Sequence, residues 1–434
     1  MIENQVICGD CKTVIPKHNL TNRIDLIYID PPFFSNKNYE IIWGNGAELA
    51  AYGDRWKGDI YHYIKWMKPR IAALHAALKP TGNFFIHADQ RAIHHLRELC
   101  DKFFGYKNLV NEIAWCYNVG GRSKRRLGRK HDTILWYVKS NDYYFNGDNI
   151  RVPRDTGDKS FGGRIREENG IKYQIKVTKR KDGSTKEYKY NLSEGKIPED
   201  WWVDINTIQS QSNERIGYPT QKPAALLERI IKGWSQEDDL VLDGFVGGGT
   251  TITVAEQLKR KWIGIDVSPI ACMVSYMQVK GKLSDHKAKD GIESIIQQVP
   301  SEAFWEIVDY PATPEDVKQL DGFQFQQLIV IQLGAQLSPT FTADGGIDGT
   351  FTDGSPIEVK KGRIGRPEVQ KFESAIRDAG QNKGVMIGNK ITTTAYEAIA
   401  KIETRGIVIV PLTMQQVLDR DFQPIHAAGI QMER

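Results

Sequence analysis

The stretch Leu240–Asp266, LVLDGFVGGGTTITVAEQLKRKWIGID, decides the fold. An apolar run that predicts a strand leads through three glycines into a helical pattern, and a second apolar run follows. Gly247–Gly249 allow a sharp turn and close approach to a ligand, and the next helix presents free N–H groups. Asp266 lies 23 residues after Asp243, where an acid can accept both hydroxyls of a ribose. The unit predicts a nucleotide-type cofactor, without separating a dinucleotide from S-adenosylmethionine.

Strands and helices alternate on both sides of this unit. IDLIYID (24–30) and NFFIHAD (83–89) predict strands, and RAIHHLRELCDKFFG (91–105) predicts a helix closed by its glycine. YIKWMKPRIAALHAALKP (63–80) predicts a helix that is interrupted at Pro69 and stopped by Pro80. This order predicts an α/β fold with a doubly wound, mostly parallel, Rossmann-like sheet.

The chain of 434 residues is too long for one typical core, so several domains are expected. We expect a first domain over 1–280, a polar linker over 281–315 and a smaller α/β domain over 316–434. Within the first domain, residues 146–215 break the α/β order: they are basic and carry a β-hairpin pattern with a turn at Asp182-Gly183.

Composition excludes several classes of protein. Apolar content of 40% and charged content of 26% are typical of globular proteins, and no leader or membrane-length apolar run is visible. Five scattered cysteines argue against a disulfide scaffold and fit a reducing cytosol. Cys8 and Cys11 form a lone CxxC, which is a weak signal for zinc or redox chemistry.

The net charge of +4 is unevenly distributed. RSKRRLGRK (122–130) contains six basic residues and no acid. Such a run is either a solvated face or a set of phosphate contacts, and charge alone does not decide between them. The candidate contacts are Arg122, Lys124, Arg125, Arg126, Arg129 and Lys130.

The tetrapeptide DPPF (Asp30–Phe33) follows a predicted strand and suggests a specific chemistry. An exocyclic amine of a base is a poor nucleophile because its lone pair is delocalised into the ring. The Asp30 carboxylate and the Pro31 carbonyl could accept its two N–H bonds, while Pro31 and Pro32 fix the backbone and Phe33 stacks on the base. The alternative is a turn with a hydrophobic plug, since Pro-Pro turns are common.

DPPF, YPTQKP (218–223) and DGFVGGGTT (243–251) together resemble the β-class amino methyltransferases of DNA, in which the catalytic motif precedes the cofactor motif. The resemblance covers roughly residues 4–280 and implies S-adenosylmethionine as cofactor, with 146–215 as the target-recognition insert. It implies cofactor-binding roles for Asp10, Thr220, Lys222, Asp243, Phe245, Gly247, Gly249, Thr250 and Asp266. The family usually has proline and serine where Gly244 and Gly248 stand, which implies weaker cofactor affinity.

The resemblance further implies direct methyl transfer to a base that is flipped out of double-stranded DNA. The D-P-P-F form favours adenine N6, with cytosine N4 as the alternative and RNA as a less favoured substrate. On this interpretation the basic run is better explained as backbone contacts than as a solvated face. The expected location is the cytoplasm of a prokaryotic cell, or a phage-encoded product acting there.

A second site is predicted in the stretch ADGGIDGTFTDGSPIEVKKG (343–362). Glu358 and Lys360 alternate along one strand and face the same side, and Asp348 precedes them; the alternative is a charged hairpin. Residues 320–412 resemble the Mrr-like branch of the PD-(D/E)xK restriction endonucleases. That resemblance implies catalytic roles for Asp348, Glu358 and Lys360, and Mg²⁺ bound by Asp348 and Glu358. Gln326 stands where a glutamate is often found.

Two hypotheses about function therefore remain. In one, the chain both methylates and cuts DNA as a restriction–modification enzyme, and cutting both strands would favour a homodimer. In the other, it is a methyltransferase with a tail that binds DNA or a partner without cleaving.

Overall fold

The computed structural model describes residues 2–32, 38–42, 48–53, 60–118, 124–125, 127–154, 164–209, 212–218, 220–283, 306–311, 313–320, 322–338 and 346–432. The predicted site residues Phe33, Arg122 and Arg126 lie outside these residues. Within the described part of the chain, no helix has the length and apolar character needed to cross a membrane.

The larger unit is built on an eight-stranded sheet. The strands over the first 266 residues are β1 Gln5–Cys8, β2 Ile24–Ile29, β3 Asn38–Ile42, β4 Glu48–Gly53, β5 Leu78–Ala88, β6 Leu109–Cys116, β7 His131–Val138, β8 Arg164–Glu168, β9 Ile171–Lys179, β10 Thr185–Asn191, β11 Trp201–Trp202, β12 Leu240–Asp243 and β13 Lys261–Asp266. The sheet has the order β1-β13-β12-β2-β5-β7-β6-β11, and only β7 runs antiparallel to its neighbours.

Helices cover both faces of this sheet. They are α1 Cys11–Lys17, α2 Ile60–Ala77, α3 Ile93–Phe104, α4 Ala224–Trp234, α5 Thr250–Gln257 and α6 Pro269–Val279. Alternate residues of β2 enter different cores: Ile27 and Ile29 pack with α1–α3, while Leu26 and Tyr28 pack with α4–α6. The period of two in a strand thus produces the three-layer, doubly wound α/β fold that the sequence predicts.

Three local predictions differ from the structure. Helix α2 continues through Pro69 and ends at Ala77, so the predicted interruption is wrong. Pro69 cannot donate to the carbonyl of Lys65, but both residues are exposed and water can bond to that carbonyl. Pro80 does not stop the helix either: it lies inside β5, at a position without a ladder partner. The predicted insert is also not wholly separate from the main sheet, because Trp201–Trp202 pairs with β6 in parallel.

The insert carries its own antiparallel sheet, with the order β10-β9-β8. The predicted hairpin is confirmed in β9 and β10, and its turn holds Gly183 at a φ of +82°. The side chain of Asp182 accepts hydrogen bonds from the N–H and hydroxyl of Ser184, which closes the turn.

The C-terminal unit contains α7 Pro314–Gln319, α8 Gly322–Gln332, β14 Gln336–Leu337, β15 Gly349–Thr350, β16 Pro356–Ile364, α9 Arg366–Asp378, β17 Lys383–Ile391, α10 Thr393–Glu403, β18 Val408–Thr413, α11 Met414–Leu418 and α12 Gln423–Ala427. Its sheet follows the order β14-β15-β16-β17-β18, with antiparallel pairing up to β16 and parallel pairing beyond it. One core of buried residues extends from α6 into α8 and this second sheet.

Gly249 allows α5 to approach α6 closely, and this contact can be tested. Its φ is +90°, and a Cβ there would lie 2.7 Å from Cα and Cβ of Ser275. Gly249→Ala should lower the free energy of unfolding for two reasons: an alanine at a positive φ costs about 1–2 kcal/mol, and overpacking against Ser275 costs about 1–3 kcal/mol. Gly183→Ala is the matched control, because its φ is similar but nothing lies within 4 Å. Thermal unfolding should show the larger fall in midpoint for Gly249→Ala; equal falls would contradict the close contact.

Candidate functional site

Four carboxylates lie at the C-terminal ends of four adjacent parallel strands. Asp10 follows β1, Asp266 ends β13, Asp243 ends β12 and Asp30 follows β2. They line a cavity of about 250 Å³, together with apolar and polar side chains from several loops and helices. The predicted cofactor residues all line this cavity except Gly249. Ligands of doubly wound folds bind in this position, outside the carboxyl ends of the strands.

The glycine-rich loop forms one wall of the cavity. Gly247 has a φ of +50°, and its N–H donates to Oδ2 of Asp266 at 3.0 Å. Gly248 is tightly packed, since a Cβ would lie 3.2 Å from Cβ and Cγ of Tyr218. At Gly244 a Cβ would lie 3.1 Å from a methyl carbon of Leu74. The two departures from the usual family residues therefore leave no gap, because neighbouring side chains occupy the space.

Asp243 is buried and Asp266 is half-buried, and the two acids have different partners. Asp243 accepts from the N–H of Phe245 at 2.9 Å and from the hydroxyl of Thr251 at 2.6 Å, so its carboxylate holds the loop. Asp266 accepts from Gly247 and from the N–H of Ser268 at 2.9 Å. Burial raises the pKa of Asp243 to about 7 and that of Asp266 to about 6. Carboxylate oxygens can accept further bonds, so Asp266 can still receive ribose hydroxyls.

Sequence reasoning missed an arginine and a tryptophan at the opposite wall. The guanidinium of Arg70 pairs with Asp10 and lies 3.5 Å from the ring centroid of Trp66. Trp66 and Arg70 are four residues apart on α2, which places them on the same helical face. The four-residue spacing was the only sequence signal that could have placed these two residues together at the cavity. The same spacing also occurs on ordinary helix surfaces, so it does not identify a site.

The cavity fits a nucleoside cofactor such as S-adenosylmethionine. Trp66 and Phe245 provide aromatic walls, with ring centroids 6.1 Å apart. Asp266 provides an acceptor for ribose hydroxyls, and the glycine loop lines the cavity with backbone, so a ligand can approach it closely.

Asp30 also lines this cavity. Its Oδ2 forms an ion pair with Nζ of Lys222, so the YPTQKP segment reaches the DPPF motif directly. Oδ1 of Asp30 is buried and accepts no hydrogen bond from the described residues. Pro31 is buried and Pro32 lines the cavity. The arrangement leaves one oriented carboxylate oxygen available for an N–H donor.

A buried histidine beside Asp30 is a third residue that sequence reasoning missed. Nδ1 of His87 lies 2.8 Å from the hydroxyl of Tyr28 and 3.9 Å from Oδ1 of Asp30. Its Nε2 lies 3.4 Å from Oδ2 of Asp132. Burial raises the pKa of Asp132, but hydrogen bonding and the charge of His87 outweigh it and lower that pKa below its ordinary value. His87 on β5 thus lies between an acid that follows β2 and an acid on β7, the two strands that flank β5, and it fixes the surroundings of Asp30.

The insert sheet has two chemically different faces. On one face Arg166 lies 3.5 Å from Glu168 and from Glu187, and Lys189 lies 2.7 Å from Glu168. The other face, called here the lysine–tyrosine face, exposes three lysines and two tyrosines: Lys172, Lys176, Lys186, Tyr188 and Tyr190. Among the described residues, none of these three lysines forms an ion pair with an acid.

The two tyrosines of this face stack on each other. Their ring planes differ by 13°, and the centroids lie 6.4 Å apart. Lys186 lies over the ring of Tyr188, and the guanidinium of Arg154 lies over the ring of Tyr190. Cations interleaved with aromatic rings are suited to contact with nucleic acid. Of the predicted basic run, Lys124, Arg125 and Arg129 are exposed and Lys130 is half-buried.

The C-terminal unit brings its predicted residues together. Asp348 lies opposite Glu358, since its N–H donates to the carbonyl of Ile357 at 2.7 Å in the β15–β16 pairing. Nζ of Lys360 lies 2.6 Å from Oε1 of Glu358. Burial raises the pKa of Glu358. Burial alone would lower the pKa of Lys360, but hydrogen bonding and the charge of Glu358 raise it.

Gln326 contacts Asp348 in this second site. Its Nε2 donates to Oδ1 of Asp348 at 2.8 Å, while the N–H of Val359 donates to Oδ2 at 2.6 Å. Oε2 of Glu358 is buried and accepts no hydrogen bond from the described residues. The described residues contain no cluster of three or more metal-binding side chains. Two carboxylates with remaining water ligands are nevertheless sufficient for Mg²⁺, so the residues fit that ion.

Comparison with known proteins gives matches to both units. The family described as "DNA methylase" matches residues 24–277, and the family described as "Restriction endonuclease" matches residues 317–414. The DNA adenine methyltransferase YhdJ of Escherichia coli is 32% identical over 265 residues, which cover 61% of this chain and 78% of that protein. The type II methyltransferase M.BglII of Bacillus subtilis is 26% identical over 288 residues, covering 64% of this chain and 69% of that protein.

Among solved structures, the cytosine-N4-specific PvuII DNA methyltransferase aligns with a TM-score of 0.43 at 18% identity, covering 64% of this chain and 89% of that one. The complex of M1.HpyAVI with S-adenosylmethionine aligns with a TM-score of 0.38 at 20% identity, covering 63% of this chain and 98% of that one. The family match spans more than half of the sequence. The chain therefore belongs to the N6/N4 family of DNA methyltransferases, and it carries a C-terminal domain of the Mrr-type restriction endonuclease family.

Proposed function

We propose that this chain transfers a methyl group from S-adenosylmethionine to adenine N6 in double-stranded DNA. The observation that carries the proposal is Oδ1 of Asp30, a residue that lines the nucleoside-type cavity: this oxygen is buried and accepts no hydrogen bond from the described residues. This oxygen can accept one N–H of the target amine, and the carbonyl of Pro31 can accept the other. Two such acceptors localise the lone pair of the amine for attack.

S-adenosylmethionine supplies the electrophilic methyl group when it is bound. The protein binds the cofactor and orients the catalytic acid. Asp266 accepts hydrogen bonds from the ribose hydroxyls, while Trp66 and Phe245 cover the apolar surface of the cofactor. Lys222 fixes the Asp30 carboxylate through its ion pair. Asp30 can then take the proton that the methylated amine loses. A base stacked in the duplex cannot reach this carboxylate, so the target must flip out.

Adenine is favoured over cytosine N4 on two grounds. The catalytic tetrapeptide is DPPF, the form that the family resemblance associates with adenine. YhdJ, which shares 32% identity over 265 residues, is named as a DNA adenine methyltransferase.

We further propose that the lysine–tyrosine face and the basic run, including Lys124, Arg125, Arg129 and Lys130, contact the DNA backbone. Arg122 and Arg126 complete the proposed basic run. Unpaired lysines on one face of a sheet can release counterions from phosphates, which offsets the energy of flipping a base.

The C-terminal domain is proposed to cleave DNA with Mg²⁺ held by Asp348 and Glu358. The metal ion would activate water and stabilise the charge of the phosphate transition state, and Lys360 would hold that water. Two copies of the chain would place a nuclease centre on each strand. The alternative is a domain that binds DNA or a partner without cleaving.

Asp30→Ala should lower the methylation turnover at least ~100-fold, because a positioned acceptor for the reacting amine is lost. Affinities for S-adenosylmethionine and DNA should stay close to those of wild type. Transfer of labelled methyl groups to DNA and calorimetric titration with the cofactor measure the two effects. Asp148→Ala, which removes an exposed acid paired with Arg151, is the control. Substantial methylation by Asp30→Ala would contradict the assignment.

The double variant Lys176→Ala/Lys186→Ala should weaken DNA binding and reduce the slope of log K against log salt by about 2, since each phosphate contact contributes about 0.9. Arg166→Ala/Lys189→Ala removes two cations from the opposite face, where acids neutralise them. This control should leave the slope unchanged. A salt series with a random-sequence duplex provides the measurement, and equal slopes for both variants would exclude the face from the interface.

Lys360→Ala should reduce cleavage of unmethylated plasmid in Mg²⁺ by at least ~100-fold, because the cation beside Glu358 is lost. Lys361→Ala is the matched control: it removes the next lysine, which donates to the carbonyl of Leu320 at 2.6 Å instead. Gel assays with and without a chelator measure the cleavage. If wild type and both variants all fail to cut, the non-cleaving alternative holds.

A further inference from the structure

The nuclease-type domain is docked on the methyltransferase sheet by the chain segment that precedes it. Val308 pairs with the exposed edge of β1: the N–H of Cys8 donates to its carbonyl at 2.8 Å, and its own N–H donates to Val6 at 2.9 Å. Asp309 lies 2.7 Å from both Nζ of Lys17 and Nε2 of His18. This segment falls within the predicted linker, yet it extends the sheet rather than acting as a flexible tether.

Helix α8 lies between the two sites. Gln324 lines the cofactor cavity, and its Nε2 donates to the carbonyl of Val267, next to Asp266, at 3.4 Å. Gln326, two residues later, donates to Asp348 of the second site at 2.8 Å. Residues two apart on a helix point to opposite sides. The buried Phe325 between them belongs to the core that α8 shares with α6.

We propose that Gln324 is a cofactor-binding residue contributed by the nuclease-type domain, and that cofactor binding thereby stabilises the helix that positions Asp348. The proposal rests on the proposed binding of S-adenosylmethionine in this cavity. A carboxamide carries both a donor and an acceptor, so it can bond to a hydroxyl or ring nitrogen of a nucleoside at the wall that Asp266 forms. Gln324 and Gln326 lie on the same helix, α8. A cofactor that holds Gln324 in place therefore also restrains Gln326 and its hydrogen bond to Asp348.

The test uses S-adenosylhomocysteine, which occupies the cavity without transferring a methyl group. In calorimetric titrations of the full chain, Gln324→Ala should bind it roughly tenfold more weakly than wild type, as expected for one lost hydrogen bond. Gln415→Ala is the matched control: it removes an exposed glutamine that bonds to Asp419 in α11, away from the cavity. Gln324 is only half-buried on a helix, so alanine there should preserve folding, which circular dichroism checks.

Hydrogen exchange of residues 322–332 gives the second readout. Ligand should slow exchange in wild type and in Gln415→Ala, and should do so much less in Gln324→Ala. Wild-type affinity in Gln324→Ala would overturn the binding role, and ligand-insensitive exchange of α8 in wild type would overturn its link to Asp348. Failure of wild type to bind the ligand would instead overturn the proposed function, so the two failures are distinguishable.

Discussion

The rest of the site depends on four carboxylates that meet at one edge of the sheet, of which Asp243 is buried and the other three are half-buried. Asp10, Asp266, Asp243 and Asp30 end or follow adjacent strands, and a buried charge is costly unless it is paired and hydrogen-bonded. The partners are an arginine, backbone N–H groups, a threonine hydroxyl and a lysine. Because these partners lie on different loops and helices, satisfying the acids also closes the walls of the cavity.

The sequence predicted the parts of the site that local motifs define. The strand–glycine loop–helix–strand unit, the acids that end its strands and the hairpin of the insert have the predicted structure. Arg70, Trp66 and His87 could not be recognised, because they reach the site through packing between elements distant in sequence. The prediction at Pro69 was wrong because the energetic cost of a proline inside a helix depends on whether water can reach the carbonyl that loses its donor. The sequence does not show that exposure.

The relation between the two domains was equally beyond sequence reasoning. A polar, charged segment predicts a linker, but one β-bridge at Val308 and ion pairs at Asp309 are sufficient to fix the chain on the sheet edge. Covering the edge strand β1 also removes unpaired backbone groups from solvent. The consequence is that two predicted chemistries share one core through α6 and α8 instead of acting as independent modules.

The proposed methylation of adenine N6 in DNA can be tested directly. The most direct measurement is the sequencing and nucleoside mass spectrometry of DNA from cells that lack endogenous base methylation and express the protein. We expect N6-methyladenine confined to one short recognition sequence. N4-methylcytosine in its place would contradict the assigned base, and DNA containing neither modified base would contradict methyl transfer to DNA.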